Sequence, residues 1–381
     1  MSGGRPPVVR SAPGKLFVAG EYAVVEPGGA AILVAVDRHL TVTAAEPAAE
    51  PAAGPAGPGV LISSDLTAAP VRWRWRRGRL VPLGPADPDR ARRDLAHVVA
   101  AVETVGRLLA EHGLPEPALD LSVSSRLHEN GVKLGLGSSG AATVATVAAV
   151  AAYGGLALSA EERYRLALLA SAGLDPKGSG GDLAAAAWGG WIAYRSPDRA
   201  AVLGLARHRG VAEALSAPWP GLAVRRLPPV PGLALEVGWT GTPASTAEMV
   251  SGLHRRGPRD TPAHRHYAAA AEDCVRAAAE AFDRGDRSAL LEQIRCARRE
   301  LARLDDAVGL GVFTPALTAL CDAAEAAGGA AKPSGAGGGD CGIALLDTAG
   351  APPDIDQLRE RWAAAGVRPL ALRPALEGNS E

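Results

Sequence analysis

The sequence has few cysteines, almost no net charge and no long apolar run, and each of these features excludes a class of protein. Its four cysteines form no CxxC pair and have no histidine at metal-finger spacing, so we expect reduced thiols rather than disulfides or a zinc site. The formal charge of −1 disfavours a general nucleic-acid-binding protein. We find no bilayer-spanning apolar run and no apolar signal region near the start. We therefore expect a cytoplasmic protein without nucleic-acid or membrane partners.

Lysine is scarce as well, since only four of the 40 basic residues are lysine and the rest are arginine. All four lie in or beside glycine-rich stretches: Lys15 in PGKLFVAGEY, Lys133 in VKLGLGSSGAA, Lys177 in DPKGSGGD and Lys332 in AKPSGAGGGD. Glycine lets the backbone approach a ligand closely, and the compact ammonium group is a common partner of phosphate. This placement suggests phosphoryl chemistry.

The length of 381 residues exceeds what one hydrophobic core usually supports, so we expect two domains. The first part begins with a β-hairpin, and the Pro- and Gly-rich residues 46–59 are predicted to be a surface loop. After a proline-rich joint near residue 228, strands alternate with long helices predicted at roughly 265–305 and 314–327. The pattern predicts an α+β protein with domains at 1–227 and 228–381.

The segment VRWRWRRGRLVPL has two interpretations. Tryptophans that alternate with arginines occur in segments that bind nucleic acids or membranes, but a period of two is also typical of a half-buried strand. We favour the strand, in which Trp73 and Trp75 point inward and the arginines point to solvent, with a turn at Gly78.

The segment KLGLGSSGAATVATVAAVAAYGG combines a glycine-rich loop with a long helix of small residues. Amide groups at a helix N-terminus and the positive end of the helix dipole suit a triphosphate, and the hydroxyls of Ser138 and Ser139 suit its magnesium ion. The alternative is an ordinary buried helix with a serine N-cap. The segment lacks the GxxxxGK[ST] and GxGxxG patterns, so the Walker and dinucleotide-binding folds are disfavoured.

Two further stretches combine glycine with charge. In DPKGSGGDLAAAAWGG, Lys177 and Asp182 are separated only by glycine and serine, which leaves room for a substrate. The alternative for Asp182 is a helix cap. In KPSGAGGGDCGIALL, a run of three glycines leads into a strand, where backbone can contact a ligand held by the first domain. The alternative there is a flexible turn.

The segments PGKLFVAGEYAVVEPG, KLGLGSSGAA and KPSGAGGGDCGIAL resemble, in this order, the three motifs of the GHMP kinase family. The resemblance spans nearly the whole chain. It implies an α+β fold with an N-terminal α/β ATP-binding domain, a C-terminal ferredoxin-like domain and an active site between them. GEYAVVEPGG, KGSGGDLAAAAWGG and GWTGTPAST resemble the phosphomevalonate kinases of the family more than its mevalonate kinases, whose first motif usually reads GEH.

The resemblance implies transfer of the ATP γ-phosphoryl group to 5-phosphomevalonate, which gives 5-diphosphomevalonate and ADP in isoprenoid precursor synthesis, with Mg²⁺ as a cofactor. The alternatives are mevalonate kinase or another small-molecule kinase of the family, and a non-catalytic ATP-binding regulatory protein. A phosphate acceptor has a second pKa of about 6, so it is mostly a dianion at neutral pH and needs no strong base. The main requirement for catalysis is then a set of cations that hold the two anionic substrates together. In this case Asp182 orients a lysine or holds the metal ion. A hydroxyl acceptor would instead need Asp182 as a base.

The resemblance also assigns residues. The implied catalytic residues are Lys15 and Asp182. The implied ATP-binding residues are Lys133, Gly135, Leu136, Gly137, Ser138, Ser139, Gly140 and Ala141, with Ser139 also the magnesium ligand. The implied substrate-binding residues are Glu21, Tyr22, Lys177, Ser179, Gly180, Arg195, Ser245, Thr246, Gly337 and Gly338.

Several points stay open at this stage. A surface role for Arg195 and a helix-capping role for Ser245 and Thr246 are alternatives to substrate binding. The second magnesium ligand is unassigned. We expect a small-molecule substrate, a monomer or homodimer, and closure of the two domains over the substrate.

Overall fold

The structure is a computed structural model, and it describes residues 5–47, 59–65, 67, 69–84, 87–244, 249, 261–350 and 353–378. The predicted surface loop at 46–59 therefore lies almost wholly outside the described residues. Ser245 and Thr246, two predicted substrate-binding residues, lie outside them as well.

An eight-stranded sheet forms the centre of the N-terminal part. Its strands are β1 (Val8–Ala19), β2 (Ala30–Ala45), β3 (Gly59–Ser64), β4 (Val71–Arg76), β5 (Arg79–Leu83), β6 (Leu119–Ser125), β9 (Trp191–Arg195) and β10 (Ala223–Leu227). The strand order is β10-β9-β2-β6-β3-β4-β5, with β1 paired to β2 beside this path. Neighbouring strands are antiparallel except for the parallel pair β3 and β6. Two short strands, β7 (His128–Glu129) and β8 (Val132–Lys133), pair separately.

The predicted opening hairpin is confirmed by the antiparallel pairing of β1 with β2. Between the two strands, the residues EYAVV do not continue β1. They contain a short 3-10 helix at Ala23–Val25, preceded by Tyr22 with a φ of 61°. A positive φ is uncommon for a residue other than glycine, and the Tyr22 side chain is buried.

Helices cover one face of this sheet. They are α1 (Pro88–Asp94), α2 (Ala96–Glu111), α3 (Ser138–Tyr153), α4 (Ala160–Ala172), α5 (Gly181–Trp188), α6 (Arg199–Arg209) and α7 (Val211–Ser216). Helix α3 is buried continuously from Gly140 to Ala151, between the sheet and the helices α2 and α4. Its small side chains allow this close packing, which explains why the sequence of α3 shows no polar face.

The strand interpretation of VRWRWR is confirmed. Trp73 and Trp75 are buried in the core, and the Trp75 indole N–H donates to the carbonyl of Pro117 at 2.9 Å. Arg77 and Gly78, with φ of 50° and 71°, make the tight turn to β5. The tryptophans therefore serve the core of the domain.

The C-terminal part is a four-stranded antiparallel sheet covered by helices. Its elements are β11 (Leu233–Trp239), α8 (Pro262–Arg284), α9 (Arg287–Val308), α10 (Pro315–Ala326), β12 (Ala330–Pro333), β13 (Cys341–Asp347), α11 (Ile355–Ala364) and β14 (Arg368–Leu370). The strand order β12-β13-β11-β14 is that of the predicted ferredoxin-like domain. The helical region predicted at 265–305 is two helices, because Gly285 ends α8 in a left-handed conformation and Asp286 caps α9.

The two parts are connected at residues 228–232 and also contact each other near the C-terminal end of the described chain. Beyond β14 the chain returns to the first sheet, where Pro374 bridges to Val36 and the Ala375 N–H donates to the Ala35 carbonyl at 2.9 Å. The last described residues thus tie the C-terminal sheet to the N-terminal one. Within the described ranges, no helix has the length and apolar content needed to cross a membrane.

Candidate active site

A cavity of about 640 Å³ lies where the two parts meet. The N-terminal part contributes β1, the turn after it, the loop before α3 and the segment between α4 and α5. The C-terminal part contributes Pro243, Ala244, Gly335, Ala336 and Asp340 to the lining. The predicted site residues that line it are Lys15, Glu21, Tyr22, Lys133, Gly135, Leu136, Gly137, Ser138, Ser139, Gly140, Lys177, Ser179, Gly180 and Asp182.

The loop before α3 presents a helix N-terminus to this cavity. The N-cap of α3 is Gly137, which has a left-handed conformation and makes no side-chain capping bond. Ser138 and Ser139 lie inside the first turn, so the serine N-cap alternative is wrong. The first backbone N–H groups of α3 are left without a capping side chain, and with the helix dipole they form an anion-binding site of the kind that phosphates occupy.

Lys15 lies along this loop. Its backbone N–H donates to the Leu136 carbonyl at 2.8 Å, which fixes β1 against the loop. Its ammonium group lies 3.5 Å from the Gly135 carbonyl oxygen and 5.4 Å from the centre of the Phe17 ring. Among the described carboxylates, none lies within salt-bridge distance of this ammonium group. Its positive charge is therefore available to a bound anion.

Asp182 lies in the first turn of α5, directly against the start of α3. The N-cap of α5 is Gly180, again without a side-chain bond, so the capping alternative for Asp182 is wrong. Gly140 permits the close contact, because a Cβ atom added there would lie 2.5 Å from the Asp182 Oδ2 atom. The carboxylate is held beside the anion-binding end of α3 by the packing of two helices.

The segment that leads to Asp182 is fixed from behind by buried tyrosines. The Tyr194 hydroxyl donates to the Ser179 carbonyl at 2.6 Å and lies 2.8 Å from the hydroxyl of Tyr164. Burial raises the pKa of both phenols, so they stay neutral. Lys177 is exposed at the cavity mouth, where its backbone N–H bonds to Asp175.

The first motif and the third glycine loop are bonded to each other across the domain boundary. The fully buried ammonium group of Lys332 pairs with the Glu21 carboxylate, which also accepts the Gly335 N–H at 3.4 Å. The Tyr22 hydroxyl donates to the Ala336 carbonyl. Lys332 is therefore neutralised by a partner, unlike Lys15, and holds the cavity wall together.

Four predicted site residues lie outside the cavity lining. Ala141 is buried in α3 one residue beyond the lining. Arg195 donates to the Gly28 carbonyl at 2.9 Å and pairs with Glu272 of α8 at the surface, which favours the surface alternative; its substrate-binding role stays a prediction. Gly337 and Gly338 pack against Val312 and Met249, because the loop turns away from the cavity after Ala336.

Comparison with known proteins agrees with this architecture. The family described as GHMP kinases N terminal domain matches residues 96–190, and GHMP kinases C terminal matches residues 278–364. A phosphomevalonate kinase of Streptomyces sp. (strain CL190) is 66% identical over 378 residues, which cover 99% of this chain and 100% of that protein. The chain belongs to the GHMP kinase family.

Solved structures of other proteins superpose on nearly the whole of this chain. The Streptococcus pneumoniae phosphomevalonate kinase in complex with phosphomevalonate and AMPPNP superposes with a TM-score of 0.80 at 27% identity, over 97% of this chain and all of that one. The Lin0012 protein of Listeria innocua superposes with a TM-score of 0.86 at 31% identity, over 99% of this chain and all of that one. The predicted family and fold are thus confirmed.

Three charged or titratable residues of this GHMP kinase cavity were missed by sequence reasoning. Asp175, His97 and Asp340 all line it. Burial lowers the pKa of His97 and so favours the neutral imidazole. Asp340 had a signal in the sequence, because a carboxylate directly follows three glycines in GAGGGD. His97 had none, since it lies within an ordinary helical pattern.

Replacing Lys332 with methionine should lower the free energy of unfolding by about 3–5 kcal/mol, because the change leaves the Glu21 carboxylate buried without its partner. Urea unfolding followed by circular dichroism measures this. The double variant Glu21→Met with Lys332→Met should regain most of the loss. As a control, Arg276→Met removes the exposed ion pairs with Asp273 and Glu280 and should leave the free energy of unfolding nearly unchanged. A Lys332→Met loss no larger than the control's would contradict the role of this pair.

Proposed function

We propose that the chain is a phosphomevalonate kinase that transfers the γ-phosphoryl group of ATP to 5-phosphomevalonate and releases 5-diphosphomevalonate and ADP. The whole-length identity of 66% to a phosphomevalonate kinase supports this acceptor. The supporting feature of the cavity is the meeting of three lysines with the uncapped N-terminus of α3. Such a set of positive groups suits a reaction between two anions.

The lysines come from separate parts of the chain, and each takes a different position in the proposed complex. Lys15, on β1 beside the loop, is placed to contact the transferring phosphoryl group. Lys133 lies just before the loop and is assigned to the ATP phosphates. Lys177, exposed at the cavity mouth, is assigned to the acceptor phosphate. A lysine is a mobile point charge, so it can follow charge that moves between donor and acceptor.

The proposed chemical step needs no general base. An oxygen of the acceptor phosphate, already a dianion at neutral pH, attacks the γ-phosphorus of ATP. The new P–O bond forms as the bond to the β,γ-bridging oxygen breaks, and ADP leaves with that electron pair. No proton has to be transferred, so Asp182 is assigned an orienting or metal-holding role.

Magnesium fits the residues at the start of α3. The Ser139 hydroxyl and the Asp182 carboxylate are oxygen donors at the same end of the helix, which is the ligand type that magnesium prefers. Among the described residues, no cluster of three metal-binding side chains occurs, so the remaining ligands would be ATP phosphates and water. When bound, the ion neutralises charge on the β- and γ-phosphates.

The remaining assignments are part of the same proposal. The acceptor side of the cavity is assigned to Glu21, Tyr22, Ser179 and Gly180. ATP binding is assigned to the loop from Lys133 through Ala141. The domain boundary at 227/228, the cytoplasmic location and the monomeric or homodimeric state stay predictions.

An acceptor panel tests the reaction. With Mg-ATP, we expect ADP release with 5-phosphomevalonate at a rate at least about a hundredfold above that with mevalonate, homoserine or galactose, because the lysines are placed for a doubly charged acceptor. Coupled ADP detection measures the rates. Turnover with mevalonate alone would contradict the proposed acceptor and return Asp182 to the role of base. ATP binding without turnover of any acceptor would favour a regulatory protein.

A further inference from the structure

Asp340 occupies a position that the proposed reaction does not yet explain. It is a carboxylate in a cavity whose ligands are anions, and it comes from the C-terminal part of the chain. Its φ is 51°, so it sits in a left-handed conformation that non-glycine residues rarely adopt. Asp340 thus carries a charge that repels the substrates and has an uncommon backbone conformation. Both features indicate that the residue has a structural role at the site.

The Asp340 side chain lies directly against the ATP loop. A Cβ atom added at Gly135 would lie 2.6 Å from the Asp340 Cβ and Cγ atoms and 3.0 Å from its Oδ1 atom. Gly135 has a φ of 75° and no side chain, so the loop leaves room for this carboxylate. Lys15 and Lys133 lie close enough to favour its ionised form, whereas burial raises the pKa of the group.

Asp340 also organises the neighbouring segment of its own domain. Its Oδ1 atom accepts the Ala244 N–H at 3.0 Å, its backbone N–H donates to the Thr242 carbonyl at 2.7 Å, and its carbonyl accepts the Thr240 N–H at 2.9 Å. These bonds hold residues 240–244 in place, and two members of that segment, Pro243 and Ala244, line the cavity.

Asp340 therefore links the 240–244 segment to the ATP loop. Its carboxylate packs on Gly135 and bonds to Ala244, and both Pro243 and Ala244 line the cavity. The bonds to Thr240 and Thr242 are made by the backbone, so the bond to Ala244 is what the side chain itself contributes. Loss of that bond would let Pro243 and Ala244 move relative to the start of α3, to which the proposed function assigns the ATP phosphates.

We propose that Asp340 is a positioning residue that fixes Pro243 and Ala244 against the ATP loop and so shapes the donor side of the cavity. The inference rests on the proposed function for the identity of donor and acceptor. According to this inference, the hydrogen bond to Ala244, and not the negative charge of Asp340, holds the segment in position.

Two substitutions separate the bond from the charge. Asp340→Asn keeps an oxygen that can accept the Ala244 N–H, tolerates a positive φ and removes the charge. Asp340→Gly tolerates the same φ without added backbone strain but removes both the bond and the charge. As a matched control, Asp37→Gly removes a carboxylate that accepts the Arg373 N–H at 2.9 Å, far from the lining.

We expect Asp340→Gly to raise the KM for ATP at least about tenfold while the KM for 5-phosphomevalonate changes less than about threefold. Asp340→Asn and Asp37→Gly should leave both KM values within about threefold of the wild type. Hydrogen exchange gives a readout that does not need turnover: the Ala244 amide should exchange faster in Asp340→Gly, and not in Asp340→Asn.

The opposite results overturn the proposal clearly. Equal increases in the KM for ATP in Asp340→Asn and Asp340→Gly would show that the charge acts instead of the bond. Unchanged exchange of the Ala244 amide in Asp340→Gly would show that the segment is held without the Asp340 side chain. If Asp340→Gly does not fold, the wild type still tests the proposal, because an Ala244 amide that exchanges as fast as an unprotected one would overturn it. Failure of the proposed function differs, since the wild type itself would then not turn over 5-phosphomevalonate.

Discussion

Replacement of Lys15 by methionine is expected to lower kcat by at least about a thousandfold, since one preorganised charged donor at the reacting centre is typically worth that much. Methionine keeps a side chain of similar length and packing beside Phe17 but has no charge. The KM for ATP should rise by less than about tenfold, because Lys133 and the N-terminus of α3, both assigned to the ATP phosphates in the proposed complex, are unchanged. Steady-state kinetics with 5-phosphomevalonate and a fluorescent ATP analogue for binding measure the two quantities separately.

The choice of Lys15 over the other lysines follows from its surroundings. The Lys332 ammonium group is neutralised by Glu21 and stabilises the fold, whereas the Lys15 ammonium group forms no ion pair with the described carboxylates and lies near the Gly135 carbonyl and the Phe17 ring. The informative comparison is Lys133→Met, whose side chain is exposed at the edge of the cavity. We expect Lys133→Met to affect the KM for ATP more than kcat. An unchanged kcat in Lys15→Met would remove Lys15 from the transition state and transfer its role to Lys133 or Lys177.

Local patterns in the sequence were enough to predict much of the fold. The loop before α3 could be recognised because glycines, serines and a run of small residues are adjacent in the chain, and the buried Trp73 followed from simple alternation. The break between α8 and α9 also had a local signal, in the adjacent Gly285 and Asp286, which was not used.

The contacts that complete the site had no local signal. Glu21 and Lys332 are 311 residues apart in the chain, and Asp340 meets Gly135 only because two domains pack together. The contacts of Arg195 had no local signal either: its partner Glu272 lies on a helix of the other domain, and arginine is too common here for sequence position to indicate which residue faces the substrate. Long-range packing decides such contacts, and a single sequence does not record it.

Gly140→Ala is expected to reduce kcat at least about a hundredfold, although it adds only one methyl group to a helix. The new Cβ atom would lie 2.5 Å from Asp182 Oδ2 and 2.8 Å from its Cγ, so the carboxylate must move away from the start of α3. A displacement of about 1 Å at a group that orients metal or lysine is enough for an effect of this size. Stability should not explain the loss, because alanine is favoured over glycine in a helix by about 1 kcal/mol. Steady-state kinetics and thermal unfolding of the same sample measure both effects.

Gly204→Ala provides the matched control for that interpretation. Gly204 also lies inside a helix, α6, but a Cβ atom added there would meet nothing within 4 Å. The control should keep its kcat and gain up to about 1 kcal/mol in unfolding free energy. A Gly140→Ala enzyme that is as active as Gly204→Ala would mean that Asp182 can move without consequence, and its assignment to metal or lysine orientation would then fail. If the double variant Gly140→Ala with Asp182→Asn regained the activity that Gly140→Ala had lost, the loss would instead be due to the displaced negative charge. Of these two glycines, Gly140 contacts the Asp182 carboxylate and Gly204 does not. The difference in kcat between the two variants therefore measures what the position of Asp182 contributes.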